Sequence, residues 1–281
     1  MLYICATPIG NLADISYRAI ETLSQADIIL CEDTRTSQKL LNHYGINNKK
    51  LIPFHEHNEN EISQKVIAWL EEKMLIVQIS DAGTPGISDP GARLCNKVLE
   101  NGMQAHPLPG ACAYISLLSV SGLVNTPHLF YGFLASKSAQ RQKELAKWLE
   151  VDYAVAIYES PHRIVDSLTD IKKVLGDTRV IIMGRELTKQ FATIKRLSCH
   201  ELLEFVTSDP NQQRGEFVLL ILPVIKLKTN DETLNQQQQE TVKLLAQELP
   251  AKKAVNLTNK LFGGDKELLY QYLLQQKNLV E

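Results

Sequence analysis

Several short segments of this 281-residue chain gather residue types that can do chemistry. The densest runs Ser80-Asp81-Ala82-Gly83-Thr84-Pro85-Gly86-Ile87-Ser88-Asp89-Pro90-Gly91, directly after the apolar stretch Leu75–Ile79. Glycines let backbone approach a ligand closely, and prolines set the loop shape in advance. Asp81, at the strand end, can accept hydrogen bonds from a ribose or an amino group. A rigid turn in which Asp89 caps the next helix explains part of this pattern. A turn alone does not need twelve such residues, so the segment reads as a ligand loop. Cys31-Glu32-Asp33-Thr34-Arg35 sets two carboxylates and a guanidinium at another strand end. Asp33 can cap a helix there with Arg35 paired on the surface, but the location favours a functional role. His55-Glu56-His57-Asn58-Glu59 contains an HxH pair. With no third ligand evident, it points to substrate contact or proton transfer rather than to a metal, with a solvated loop as the plain alternative. Tyr158-Glu159-Ser160-Pro161-His162-Arg163 and Arg185-Glu186-Leu187-Thr188-Lys189 also end strands. They bring charge to where a cleft between two domains would lie, with domain-interface salt bridging as the plain alternative. Thr7-Pro8-Ile9-Gly10-Asn11-Leu12 is neither GxGxxG nor GxxxxGK[ST], which speaks against a dinucleotide or triphosphate cradle. GxSxG and HExxH are likewise absent from the sequence.

The elements that must carry these segments alternate. Apolar runs at Leu2–Thr7, Asp27–Cys31, Leu51–Phe54, Leu75–Ile79 and about Gln104–Pro107 read as strands, and helical spacing separates them. Buried strands divided by helices imply a parallel sheet covered on both faces, with ligands bound beyond the carboxyl ends. A second α/β unit follows: strands at Phe130–Phe133, Asp152–Tyr158 and Arg179–Met183, then Thr193–Leu197 and Phe217–Leu222, which are expected to pair antiparallel. Helices are expected over Ala139–Glu150 and Arg163–Leu175. After Pro223 the chain turns polar, and Gln236–Gln239 reads as linker or exposed helix surface. Three short helices divided by Pro250 and Gly263-Gly264 close the chain as a helix-turn-helix-like bundle. The expected organisation is an α/β protein of two α/β domains, 1–123 and 124–227, plus a helical tail, 228–281.

Composition narrows the function. Hydrophobic residues make up 44% and charged residues 22%, which excludes a disordered chain. Net charge is −2, so any nucleic-acid contact must come from a local patch. Residues 1–119 carry nine basic and thirteen acidic residues, whereas 120–227 carry fourteen and twelve, which makes the middle the better partner for a phosphate backbone. The five cysteines form no CxxC, consistent with a reducing compartment. The uncharged stretch Asn101–Ser136 is broken by prolines and polar residues and is not a membrane span. A soluble cytoplasmic protein without a signal peptide is expected.

Taken together and in this order, Ala6–Leu12, Cys31–Arg35, Ser80–Gly91, Tyr158–Arg163 and Arg185–Lys189 resemble the tetrapyrrole-methylase (class III) superfamily of S-adenosylmethionine-dependent methyltransferases. The likeness is to the branch that methylates ribosomal RNA, whose helical tail residues 232–281 also resemble. It implies two α/β domains with S-adenosylmethionine in the cleft between them, a homodimer, and 2′-O-ribose methylation of a cytidine in the decoding region of 16S rRNA within the small ribosomal subunit. It implies three cofactor loops: Pro8, Ile9 and Gly10; Asp81, Gly83 and Thr84; and Ala111, Cys112 and Ala113. Tyr158 and Glu159 would contribute from the second domain. For the base that a weak ribose nucleophile needs, Asp33, Glu56, His55 and Glu186 all remain candidates, and Arg35, Arg163, Arg185 and Lys189 are candidates for phosphate contacts. One departure stands out: the family often carries a glutamate shortly after Lys189, where this chain reads Gln190-Phe191-Ala192-Thr193. A tetrapyrrole methylase and a non-catalytic ribosome-assembly or RNA-binding factor are the competing readings.

Overall fold

A computed structural model describes residues 1–224 and 234–277. The expected boundary at 227/228 and the start of the expected tail therefore lie outside the described residues. The chain divides into two compact units, Met1–Val224 and Ile225–Glu281.

The first unit begins with a wholly parallel sheet of β1 (Leu2–Cys5), β2 (Ile28–Cys31), β3 (Lys50–Pro53), β4 (Ile76–Ile79) and β5 (Ala105–Leu108), in the order β3-β2-β4-β1-β5. β2 and β4 are buried at every position, as strands covered on both faces must be. Successive side chains alternate between faces. Ile29, Cys31, Val77 and Ile79 pack on α1 (Tyr17–Gln25) and α2 (Thr34–His43) through Ala19, Leu23 and Leu41. Ile28, Leu30 and Ile76 pack on α3 (Glu59–Glu71) and α4 (Ala92–Glu100) through Ile62, Val66, Leu94 and Val98. The loops after β1, β2 and β4 consequently emerge together at one edge.

α5 (Ala113–Val120) leads into a mixed sheet of β6 (His128–Phe133), β7 (Ala154–Glu159), β8 (Val180–Arg185), β9 (Thr193–Ser198) and β10 (Phe217–Ile221), in the order β6-β7-β10-β8-β9. β6 runs parallel to β7, and the other pairs are antiparallel. One face is covered by α6 (Ser138–Ala146), α7 (Ile164–Leu175) and α8 (Cys199–Ser208), and the other packs on Leu117 of α5. One expectation about this sheet needs correction. The strands at Thr193–Leu197 and Phe217–Leu222 do not pair with each other; β8 lies between them and takes both. The chain from β9 to β10 passes through α8, whose start the sequence marks with a capping box: Ser198 and Glu201 each satisfy the other's backbone N–H.

Asp89 does not cap α4. Gly91 holds that position at φ +135°, and its N–H donates to Glu59 Oε1 at 3.1 Å. A Cβ on Gly91 would collide with the Gln78 amide, so the position requires glycine.

In the second unit α9 (Gln236–Glu248), α10 (Ala251–Phe262) and α11 (Lys266–Lys277) enclose Leu234, Val242, Ala254, Val255, Leu269 and Leu273. The glutamine run is neither linker nor wholly exposed. Gln238 is buried, forms a capping box with Asn235, and donates to the Gly263 carbonyl at 3.2 Å.

Candidate functional site

Three loops are clipped together at the carboxyl edge of the first sheet. Thr7 N–H donates to the Gly83 carbonyl at 2.8 Å, and Gly83 N–H returns a bond to the Thr7 carbonyl at 3.1 Å. The Thr7 hydroxyl donates to the Ser80 carbonyl at 3.0 Å, and the Thr84 hydroxyl to the Ala111 carbonyl at 2.9 Å. Gly83 sits at φ +83°, in the left-handed region that an L side chain resists. A fourth loop joins them, because Asp33 N–H donates to Asp81 Oδ1 at 3.2 Å.

These loops and the second sheet enclose a cavity of about 450 Å³, a size suited to a small molecule. Ile9, Glu32, Asp81, Gly83, Thr84 and Asp89 line it from the first half. Phe133, Tyr158, Glu159, Leu187, Glu216 and Val218 line it from the second, with Cys112 and Ala113 between. Pro8, Gly10 and Ala111, also expected at the cofactor, are not among the lining residues. Gly10 lies against the Lys189 side chain, where a Cβ would overlap Lys189 Cγ.

The cavity's electrostatics are one-sided. Carboxylates line it, and no Lys, Arg or His does. Burial, and then the neighbouring Asp89, Asp81 and Glu56, push the Glu32 carboxyl up to about 7. Burial, with Asp81 and Glu216, pushes Asp89 up to about 6. Such a wall repels phosphate and favours a cation or a hydroxyl-rich ligand. S-adenosylmethionine fits this donor set, because its sulfonium is positive and it carries no phosphate. Glu32 Oε1 is buried there without a close hydrogen-bond partner; the Ser80 hydroxyl near Glu32 and Asp89 draws both carboxyls only partly back down.

Other carboxylates are already occupied. Glu159 is 2% exposed; it accepts from Ser160 N–H at 2.8 Å and from the Ser167 hydroxyl at 2.6 Å, with Arg163 Nε 3.4 Å away. It braces the wall. Tyr158 Oη accepts from Tyr114 N–H at 3.3 Å, and burial pushes its phenol up. Asp33 caps α2, accepting from Arg35 N–H at 2.7 Å and Thr36 N–H at 3.4 Å, and these bonds with the Arg35 guanidinium hold it below the usual carboxylate range. Glu186 takes φ +50° in a tight turn, accepting from Lys189 Nζ at 2.8 Å and Glu216 N–H at 2.9 Å. Burial raises its carboxyl, but these partners outweigh that and leave it lowered. His55 and Glu56 follow β3 and lie outside the cavity wall. Of the four expected bases, none lines the cavity.

Among the expected phosphate contacts, Arg185 needs correction. It is 7% exposed, and its guanidinium donates to the carbonyls of Asn211, Arg214 and Phe191 and to the Thr193 hydroxyl. Lys189 is committed to Glu186 and Glu216, and Arg163 donates to the carbonyls of Leu134 and Ala135. Arg35 differs: its side chain is 89% exposed, and with Thr34, Gln38, Lys39 and Asn42 it lines an open groove along α2. Ala192, where the family often has glutamate, is exposed and outside the cavity wall.

Glu32, Asp89 and Glu216 escaped sequence reasoning as site residues. A signal for Glu32 existed: Asp33 directly precedes helix spacing and takes the N-cap, which leaves Glu32 to face the cavity.

Fold and cavity define a two-sheet α/β protein that takes a small, phosphate-free ligand where the strands of its parallel sheet end. The family of Tetrapyrrole (Corrin/Porphyrin) Methylases matches residues 1–203, and the RsmI C-terminal HTH domain matches residues 232–277. The chain belongs to the tetrapyrrole methylase family, alongside proteins named Ribosomal RNA small subunit methyltransferase I. The protein of that name from Haemophilus influenzae is 45% identical over 97% of this chain and 95% of its own. Diphthine synthase shares the fold at a TM-score of 0.59 and 13% identity, over 79% of this chain and 89% of its own. Uroporphyrin-III C-methyl transferase from Thermus thermophilus, solved in complex with S-adenyl homocysteine, shares it at 0.53 and 14% identity, over 78% and 96%.

Proposed function

We propose that this chain is an S-adenosylmethionine-dependent methyltransferase of small-subunit ribosomal RNA, and that its acceptor is the 2′-oxygen of a cytidine ribose in the decoding region of 16S rRNA. The observation that carries this reading is the full-length similarity to rRNA methyltransferases combined with a cavity lined by carboxylates and no cation. The donor supplies an activated methyl group on a positive sulfur. Asp81, Gly83, Thr84 and the Cys112-Ala113 turn would hold it, with Tyr158 on the wall from the second sheet. Held between the two sheets, donor and acceptor would react in line, an alignment worth up to roughly 7–11 kcal/mol in the best-aligned cases. The α2 groove, with Arg35 and Lys39 and no acidic lining residue, offers the flanking phosphates a path. The acceptor is the assembled small subunit, whose shape supplements a modest electrostatic attraction. The protein works in the cytoplasm as a homodimer, and the exposed apolar residues Ile115, Val120 and Val124 offer surface for the second copy. Among the described residues no helix is long and apolar enough to cross a membrane.

The test is transfer of labelled methyl from S-adenosylmethionine to small subunits from cells lacking this gene, set against naked 16S rRNA, with the labelled nucleotide mapped. Label on a cytidine 2′-oxygen of the subunit is expected. Tight donor binding with no label on either acceptor would overturn the choice of substrate, and no donor binding would leave only an assembly or RNA-binding role.

A further inference from the structure

A ribose hydroxyl attacking a methyl carbon must lose its proton, so the site needs an acceptor with an open lone pair. Few carboxylates qualify. Asp81 Oδ1 already accepts from Asp33 N–H, both Glu159 oxygens are filled, and Glu216 pairs with Lys189 Nζ at 2.9 Å. Glu32 differs in two ways. It lines the cavity, and its Oε1 is shielded from water with no hydrogen-bond partner. An unpartnered, desolvated carboxylate oxygen is costly unless something completes it. Its neighbours offer no cation: Asp81 and Asp89 face it from the loop after β4, Glu56 from the loop after β3, and Ser80 adds only a hydroxyl. Its place along the chain matters as well. Glu32 lines the cavity, while Thr34 and Arg35, two and three residues on, line the groove along α2. The groove and the cavity are thus brought within a few residues of each other at the start of α2.

We propose that Glu32 is the catalytic proton acceptor of the transfer, an inference that rests on the methyltransferase reading above. The hydroxyl O–H bond breaks and its proton passes to Glu32. The oxygen forms its bond to the methyl carbon as the carbon–sulfur bond breaks, and that electron pair stays on sulfur, turning the sulfonium into a neutral thioether. Charge balances: one carboxylate and one cation are consumed, and a neutral acid and a neutral thioether remain.

The experiment compares the full-length wild type with Glu32→Gln and Asp89→Asn. Methyl transfer to small subunits is followed from pH 5.5 to 8.5 at about saturating donor, a window placed around a base that works near neutrality. Binding of S-adenosylhomocysteine, uncharged at sulfur, is measured in parallel by calorimetry. In the wild type kcat/KM rises with pH along a limb that belongs to Glu32. Glu32→Gln should lower kcat about 10²–10⁴-fold and flatten that limb, while its S-adenosylhomocysteine affinity stays within about threefold of wild type, well under the tenfold that 1.4 kcal/mol represents. Asp89→Asn, whatever its rate, should keep the limb. A carboxyl resonance of ¹³C-labelled glutamate should titrate near 7 in the ligand-free wild type, move down when the cationic donor binds, and be missing from Glu32→Gln. Wild-type kcat in Glu32→Gln, or loss of the limb in Asp89→Asn instead, overturns the assignment. So does a Glu32 resonance that ignores the donor, a readout that stands even if Glu32→Gln folds poorly. A wild type that binds donor but labels no RNA overturns the substrate reading itself, and is recognised because the wild type fails.

Discussion

The two sheets of the first unit carry their carboxylates in opposite ways. At the ends of β2 and β4, Glu32, Asp81 and Asp89 converge on one cavity with no cationic side chain in its wall. In the half built on the second sheet, Glu159 is braced by Arg163, Asp170 by Arg141, and Glu186 by Lys189. Glu32 and Asp89 are pushed up, while Asp170 and Glu186 are held down. The difference separates carboxylates that hold the frame from those left facing the cavity. A buried carboxylate with its partner in place is costly to break, because removing either member strands the other charge. One left without a partner holds electrostatic strain that a cationic ligand relieves.

The largest effect should come from breaking the frame. Arg141 Nη2 lies 2.6 Å from Asp170, with the two side chains 4% and 7% exposed, and Ser138 and Gln142 donate to the same carboxylate. Asp170→Ala leaves a buried guanidinium without its counter-charge and should cost ~3–5 kcal/mol in urea unfolding at pH 7. A loss below about 1 kcal/mol, the range of exposed pairs, would erase the contrast between the halves. Lys189→Met should cost less, about 1 kcal/mol, because its pairs with Glu186 and Glu216 are partly solvated. Here the Glu186 carboxyl is depressed in the folded state, so its contribution is complete above its unfolded value and disappears as pH falls through its folded one. The stability gap between Lys189→Met and wild type should therefore close in acid.

Much of this contrast was legible in the sequence, and the rest had identifiable reasons to be hidden. The parallel sheet followed from apolar runs spaced by helices, and the loop from Ser80 to Gly91 declared itself by its glycines, prolines and aspartates. The order of the second sheet did not follow, because β8 separates β9 from β10 and local pattern carries no information about which strand intervenes. Site residues were legible as segments more than as atoms. Ile9, Asp81, Gly83, Thr84, Cys112, Ala113 and Tyr158 do line the cavity. Asp33 and Glu32 are adjacent acids, and only the helix start decides that the first caps while the second faces inward. Arg185 looks like a phosphate ligand in sequence, but three backbone carbonyls and a hydroxyl claim its guanidinium. Partners supplied by backbone cannot be read from residue types.

The smallest expected change has the opposite sign, and it sharpens the comparison most. Asp89 sits at about 6 in the folded protein against an ordinary value of 3.8. Between those values the native state holds a proton that the unfolded chain has released, so stability falls as pH rises across the window. Above it the cost is constant, and below it both states are protonated and the cost vanishes. Asp89→Asn removes the titration, so it should match wild type in acid, gain on it between about pH 4 and 6, and stay ahead by about 1 kcal/mol at pH 8, after discounting for the solvent that reaches Asp89. Chemical unfolding at a series of pH values reads this directly. Adding S-adenosylmethionine should shrink the advantage, because the wild-type carboxylate then gains the positive charge it lacks. An Asp89→Asn variant that is less stable than wild type at pH 8 would mean that Asp89 already has a stabilising partner, and the cavity would then belong to the frame.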